Sequence, residues 1–178
     1  MRVVPEGLFP AVESHLIDAN FFIRFERHGT VELLERAVTD HDIILLLPQR
    51  VYEELTPESA SYDRPPVDSA IRAGWATVLD EPAYANSVVS KTMDMVRRYI
   101  AAATDRPEHA IEQADAAVGG TAATRLEAGE TESVAIYTND RAAFRGIERA
   151  LAQHGYGDHV QLVEAFDFVD RVENSYQR

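Results

Sequence analysis

Asp42–Leu55 reads DIILLLPQRVYEEL, and its two halves follow different periods. Asp42–Leu47 is an unbroken apolar run with no polar face. A strand of that kind is buried on both sides, as in a parallel sheet covered by helices. Pro48 cannot donate to a ladder and ends the strand. Gln49–Leu55 then places Val51, Tyr52 and Leu55 on one side at helical spacing. A fully buried strand that passes through a proline into a helix is the repeating unit of an α/β fold.

The same alternation extends outward in both directions. His15–Asp18 (HLID) is a short strand, and Asn20 is placed to cap the helix after it. Thr30 can cap a second helix, with Val31, Leu34 and Val38 on one face. Trp75–Leu79, Ser133–Thr138 and Val160–Val163 are further strands, making five. Helices are expected over Val67–Ala73, ended by Gly74, over Tyr84–Ala103, and over Arg141–Gln153. Phe166–Val172 reads as a final helical turn or an edge segment. Thr56–Pro66, with three prolines, is a connector and not a boundary. No repeat or low-complexity segment interrupts the chain. The expectation is one α/β domain over residues 1–178, with a five-stranded, mainly parallel sheet flanked by helices.

Glu108–Leu126, EHAIEQADAAVGGTAATRL, reads as one helix. At about 100° per residue, Ile111, Ala114, Val118, Ala122 and Leu126 form an apolar stripe, and Asp115 falls within it. A buried carboxylate is normally paired, hydrogen-bonded or metal-bound, because leaving it alone is costly. An internal pair with an arginine is the structural alternative to a ligand role. Gly119 and Gly120 follow at once and imply that another backbone or side chain approaches closely here.

The net charge is −13, from thirty acids against seventeen bases, and Lys91 is the only lysine. That balance resembles the proteins of salt-loving organisms. An acidic surface ordinarily argues against nucleic acid, but at about 1 M salt the Debye length is only ~3 Å and long-range repulsion is screened. Recognition then rests on metal coordination and short arginine–phosphate hydrogen bonds. Cysteine is absent, which excludes disulfides and cysteine–zinc sites. No apolar run is long enough to span a bilayer, and Met1–His15 has no signal-peptide core. The chain is expected to be soluble and cytoplasmic.

Asp18 ends the first strand and Asp140 follows the fourth. Open α/β sheets bind ligands beyond the carboxyl ends of their strands. Glu54 lies on the border of the helix after the second strand, whereas Glu53 points away from its buried side. With Asp115, these acids can converge at one end of the sheet. Oxygen-only ligands suit hard cations, Mg²⁺ or Mn²⁺, and without one the carboxylates would repel and some would hold protons. Taken singly, Asp18 reads as a turn residue, Glu54 as a solvated helix residue and Asp140 as a helix cap. Their order and placement together carry the argument.

These segments resemble the PIN domain family. Leu16–Ile17–Asp18–Ala19–Asn20 matches its first motif, a strand ending in Asp with Asn two residues on. Pro48–Leu55 matches the second, Asp115–Ala116–Ala117 the third, and Thr138–Asn139–Asp140 the fourth. The resemblance implies a three-layer PIN-like domain and a metal-dependent ribonuclease that hydrolyses RNA phosphodiesters. Asp18, Glu54, Asp115 and Asp140 would be its catalytic, metal-binding quartet for Mg²⁺ or Mn²⁺, with Asn20 and Thr138 as polar support. Small members of the VapC type are toxins, each neutralised by an antitoxin whose segment covers the site. This chain is longer, and the excess falls at residues 56–105, an extended helical and strand arm where the family places a dimerisation element. Met93, Met95, Val96 and Tyr99 are candidates for a homodimer seam, with core packing as the plainer explanation.

Arg24, Arg27, Arg141 and Arg145 flank the first and fourth acids and can grip phosphate or pair with neighbouring acids. A competing reading is a PIN-fold scaffold or RNA-processing subunit that acts by binding; an intact quartet counts against it. A haloacid-dehalogenase-like phosphotransferase would need Asp-x-Asp, which Asp18–Ala19–Asn20 lacks. No P-loop is present. A DNA-directed 5′ nuclease would want further acids and a larger chain.

Overall fold

The computed structural model describes residues 4–58 and 64–177. Five parallel strands form one sheet in the order β3-β2-β1-β4-β5. They are β1 (Ser14–Ile17), β2 (Leu45–Leu47), β3 (Ala76–Val78), β4 (Val134–Thr138) and β5 (Val160–Glu164). The central pair is in register along its length, with Ser14 beside Val134 and Ile17 beside Tyr137. All of β1 and all of β4 are buried, as strands covered on both faces must be. The sheet is wholly parallel, one step beyond the mixed sheet that the sequence allowed.

Among the described residues eight α-helices flank the sheet: α1 (Ala19–His28), α2 (Val31–Asp40), α3 (Gln49–Leu55), α4 (Pro66–Ala73), α5 (Ser87–Thr104), α6 (Gln113–Glu127), α7 (Arg141–Ala152) and α8 (Ala165–Tyr176). Helices α1, α2 and α8 pack together, and α5, α6 and α7 form a second group. The architecture is a three-layer α/β fold. On the α1 side, Phe21, Phe25, Tyr137 and Phe168 make a run of ring contacts across buried positions. Beneath Tyr137, buried His15 joins its Nδ1 to the tyrosine hydroxyl at 2.7 Å, so two polar groups of the central strands satisfy each other.

On the other side, α5 and α6 lie close because α6 has no side chain where they meet. A Cβ on Gly119 would stand 3.0 Å from Ile147 and 3.2 Å from Val96; one on Gly120 would stand 2.6 Å from the Met93 sulfur. The close approach expected at these glycines is present. Met93 and Val96, two of the four residues considered for a dimer seam, are buried in the chain's own core.

Three expectations are corrected. Residues 108–126 are not one helix. A short 3-10 turn covers Glu108–Ala110, then Ile111 and Glu112 are extended (ψ 130 and 140), and α6 starts at Gln113. Ile111 is buried as a separate anchor, and its helical spacing to Val118 is coincidental. Asn20 does not cap α1, because the helix starts two residues sooner: the Asp18 carboxylate accepts from the Phe21 amide at 2.9 Å, and Asn20 is an exposed residue of the first turn. Of the two readings of Phe166–Val172 the helical one holds, but it is more than a turn: α8 buries Phe168, Val169, Val172 and Tyr176 at helical spacing. Part of the Thr56–Pro66 connector falls outside the described residues. Among them, no helix is long and apolar enough to cross a membrane.

Candidate active site at the carboxyl end of the sheet

Strand order reverses about β1, which has β2 on one side and β4 on the other. A crevice therefore opens beyond the ends of β1 and β4. Asp18 is the first residue past β1 and Asp140 lies two past β4. Both are helix N-caps: Asp140 Oδ1 accepts from the Ala143 amide at 2.9 Å, as Asp18 does from Phe21. Capping fixes each carboxylate at the mouth of the crevice and leaves its remaining lone pairs to other donors.

Thr138 ties the two acids together. Its hydroxyl accepts from the Asp140 amide at 3.0 Å and hydrogen-bonds to Asp18. Asn139 turns the other way, and its side-chain oxygen accepts from the Phe166 amide, fixing the start of α8 to the end of β4.

Asp18, Asn20, Glu54, Glu112, Asp115 and Val118 line a cleft of about 50 Å³. Glu54 faces it from α3, while Glu53 is turned outward and bonded to Arg50 at 3.0 Å. Asp115 stands in the first turn of α6. Among the described residues it makes no ion pair within 4 Å, so the arginine partner considered from sequence is not there. Glu112, at the N-cap of α6, is a fifth acid that the sequence reading missed. The signal available was Asp115 itself, since acids concentrate in a helix's first turn.

The electrostatics follow from this crowding. Burial raises the Asp18 pKa and the Asp140 charge adds to it, against pulls from Thr138 and the Phe21 amide. Asp115 is pushed up to about 6 by burial, then by Asp140, Glu112 and Asp18, with Arg106 acting weakly against them. Glu54 is pushed up to about 7 by burial and by Glu112, Asp115 and Asp18. Glu54 is open to solvent by area, which tempers the burial and gives weight to its three acidic neighbours.

Such a site holds excess negative charge with no bonded base among the described residues, and its donors are all hard oxygens. That chemistry fits a divalent cation. Among the described residues no three acids or histidines form a ready ion cage, so the fit is one of charge and donor type. The flanking arginines divide. Arg141 is bonded to Glu164, and Arg24 lies over the Phe166 ring at 4.4 Å. Arg27 and Arg145 are exposed. A family profile described as the halobacterial PIN domain matches residues 11–177. No curated protein matches the chain.

Proposed function

Because the chain belongs to the halobacterial PIN domain family and so carries a nuclease-type fold, we propose that it is a metal-dependent endoribonuclease. The observation that supports this best is the cleft where Asp18, Glu54 and Asp115 meet, with Asp140 acting on two of them, at the reversal of strand order. PIN domains generally use divalent metals. Asp18, Glu54, Asp115 and Asp140 would hold Mg²⁺ or Mn²⁺, with Glu112 beside them. A bound dication supplies charge neutralisation at a phosphodiester and a more acidic water.

The chain's own groups set the rest. Thr138 and the two helix caps orient Asp18 and Asp140 before substrate arrives. A carboxylate of the quartet not fully engaged by the metal would accept the proton of the attacking water. RNA is the preferred polymer, in keeping with the family resemblance and the modest chain length. The toxin role and its antitoxin rest on that resemblance, and an antitoxin segment would act by covering this cleft.

Cleavage of RNA in molar KCl with Mn²⁺, wild type beside Asp115→Asn, tests the reading. Cleavage by wild type alone, stopped by EDTA, supports a metal nuclease with Asp115 in its site. Equal cleavage by both removes Asp115 from the mechanism. If neither cleaves, a scaffold that works by binding is the better description, and Mn²⁺ titration should then detect no tight site.

A further inference from the structure

The acid cleft is too small for its substrate. Its volume of about 50 Å³ admits an ion and roughly one water, given about 30 Å³ of liquid volume per water. A nucleotide's sugar and base must lie outside it. A larger hollow, of about 330 Å³, shares a wall with the cleft, because Glu54 lines both. Ile23, Glu26 and Arg27 of α1, with Leu55 and Pro57 at the end of α3, complete it. Its size is that of an ordinary ligand pocket. The helix that opens the cleft also runs on into the hollow. Asn20 of α1 lines the cleft, and Ile23 and Arg27 follow at i+3 and i+7 on the same face. Seven residues of helix rise about 10 Å, a distance on the scale of a nucleotide.

The lining is of two kinds. Ile23, Leu55 and Pro57 are apolar and suit the flat faces of a base. Glu26 stands among them, and its carboxylate makes no hydrogen bond or ion pair among the described residues; its Oε1 is buried as well. Burial raises its pKa, and no base acts against that rise. A buried acceptor without a donor is costly, and native chains seldom keep one without a reason. The torsion that turns a glutamate carboxylate is soft, so both oxygens can face the hollow. Glu54 belongs to the cation site, which leaves Glu26 as the acceptor for a ligand.

The geometry points to this hollow as a subsite for a guanine base beside the scissile phosphate of single-stranded RNA, with Glu26 as the residue that reads it. An ionised carboxylate only accepts, through two oxygens side by side. Its complement is a pair of parallel donors. Guanine carries such a pair on its Watson–Crick edge, N1–H and the N2 amine. Adenine and cytosine set an amine beside an acceptor there, and uracil sets a lone N–H between two carbonyls. Arg27 is exposed and without an ion pair among the described residues, and its planar fork is free to take a neighbouring phosphate. The same charge disfavours a basic protein side chain as the occupant. Short hydrogen bonds of this kind persist in molar salt, where long-range attraction does not.

This inference rests on the nuclease reading, and two measurements in molar KCl with Mn²⁺ separate the two. The first is the anisotropy of short fluorescein-labelled oligoadenylates titrated with the full chain carrying Asp115→Asn. One oligomer has a central guanosine, another has inosine there, and a third is adenosine throughout. The guanosine oligomer should bind about tenfold tighter than the adenosine one, near the worth of a two-bond base contact. Inosine lacks the N2 amine and should fall between them. Glu26→Gln puts an N–H where an acceptor is needed and should erase these differences. The second measurement maps the cuts made by chains that keep Asp115: wild type should cut beside the guanosine, and Glu26→Gln without that preference. Equal binding of the guanosine and adenosine oligomers, a preference that Glu26→Gln leaves intact, or no RNA binding overturns the subsite. So does a Glu26→Gln chain that binds all the oligomers more tightly, since the carboxylate would then only repel RNA. A guanosine preference that Glu26→Gln abolishes, in a chain that never cleaves, upholds the subsite and removes the nuclease reading. Cleavage by wild type with no preference for guanosine does the reverse. Inhibition of that cleavage by a short arginine-bearing peptide, lost in Glu26→Gln, would give the hollow to a protein partner and overturn the base subsite.

Discussion

Asp115 is held where its charge opposes folding. Its pKa is about 6 in the folded chain and 3.8 ordinarily. Below about pH 4 both states hold the proton and the site costs nothing. As pH rises toward 6, the unfolded chain releases its proton first and stability is lost; above 6 the loss is complete. Asp115→Asn removes that loss. Without divalent metal, the variant should be more stable than wild type by about 1 kcal/mol at pH 8, after discounting for partial exposure. The difference should vanish near pH 3.5. Thermal melts of both chains in EDTA across this range test it, and a variant that melts lower at every pH would make Asp115 a structural partner instead. The four acids were legible because strand ends and helix starts mark where a sheet can hold ligands. Glu54 was separable from Glu53 by one helical step. Glu112 was missed although it stands three residues before Asp115, the spacing of neighbours on one helix face.

At the scale of elements, Gly119 and Gly120 predict behaviour that helix propensity alone gets wrong. Replacing glycine with alanine inside a helix ordinarily gains about 1 kcal/mol. At Gly119 the added methyl meets Ile147 at 3.0 Å and Val96 at 3.2 Å, both fully buried. These β-branched side chains have little rotamer freedom with which to yield. Overpacking of this kind costs about 1–3 kcal/mol, so Gly119→Ala should be net destabilising by about 1 kcal/mol in urea unfolding; a net gain would show that α5 and α7 can move aside. The Gly-Gly pair could be read from sequence because glycine in a helix needs a reason. Other features were hidden for the same physical cause. Ile111 kept helical spacing across an interruption of the helix, and α8 looked short because its apolar run thins after Val172 while Tyr176 still reaches the core. Asn20 and Asp18 are both good caps, and only tertiary placement decides between two such residues.

Across the whole molecule the acids outnumber the bases by thirty to seventeen. Arginine pairs such as Arg97–Asp94 and Arg98–Glu108 are largely exposed and contribute little. Repulsion among the uncompensated carboxylates therefore outweighs what the pairs supply. At 0.1 M salt the screening length is about 10 Å, enough for neighbouring acids on adjacent helices to act on one another; at 1 M it is about 3 Å. Raising KCl from 0.1 M to 2 M at pH 7 should weaken the exposed pairs slightly and the net repulsion far more. Stabilisation by a few kcal/mol corresponds to a rise in melting temperature on the order of 10 °C for a chain of this size. The same salt step at pH 4, where many carboxylates are protonated, should give a much smaller rise. That contrast separates charge screening from the general strengthening of apolar burial by salt, which would act alike at both pH values. Equal rises at pH 4 and pH 7 would place the salt requirement in the core rather than in the acidic surface.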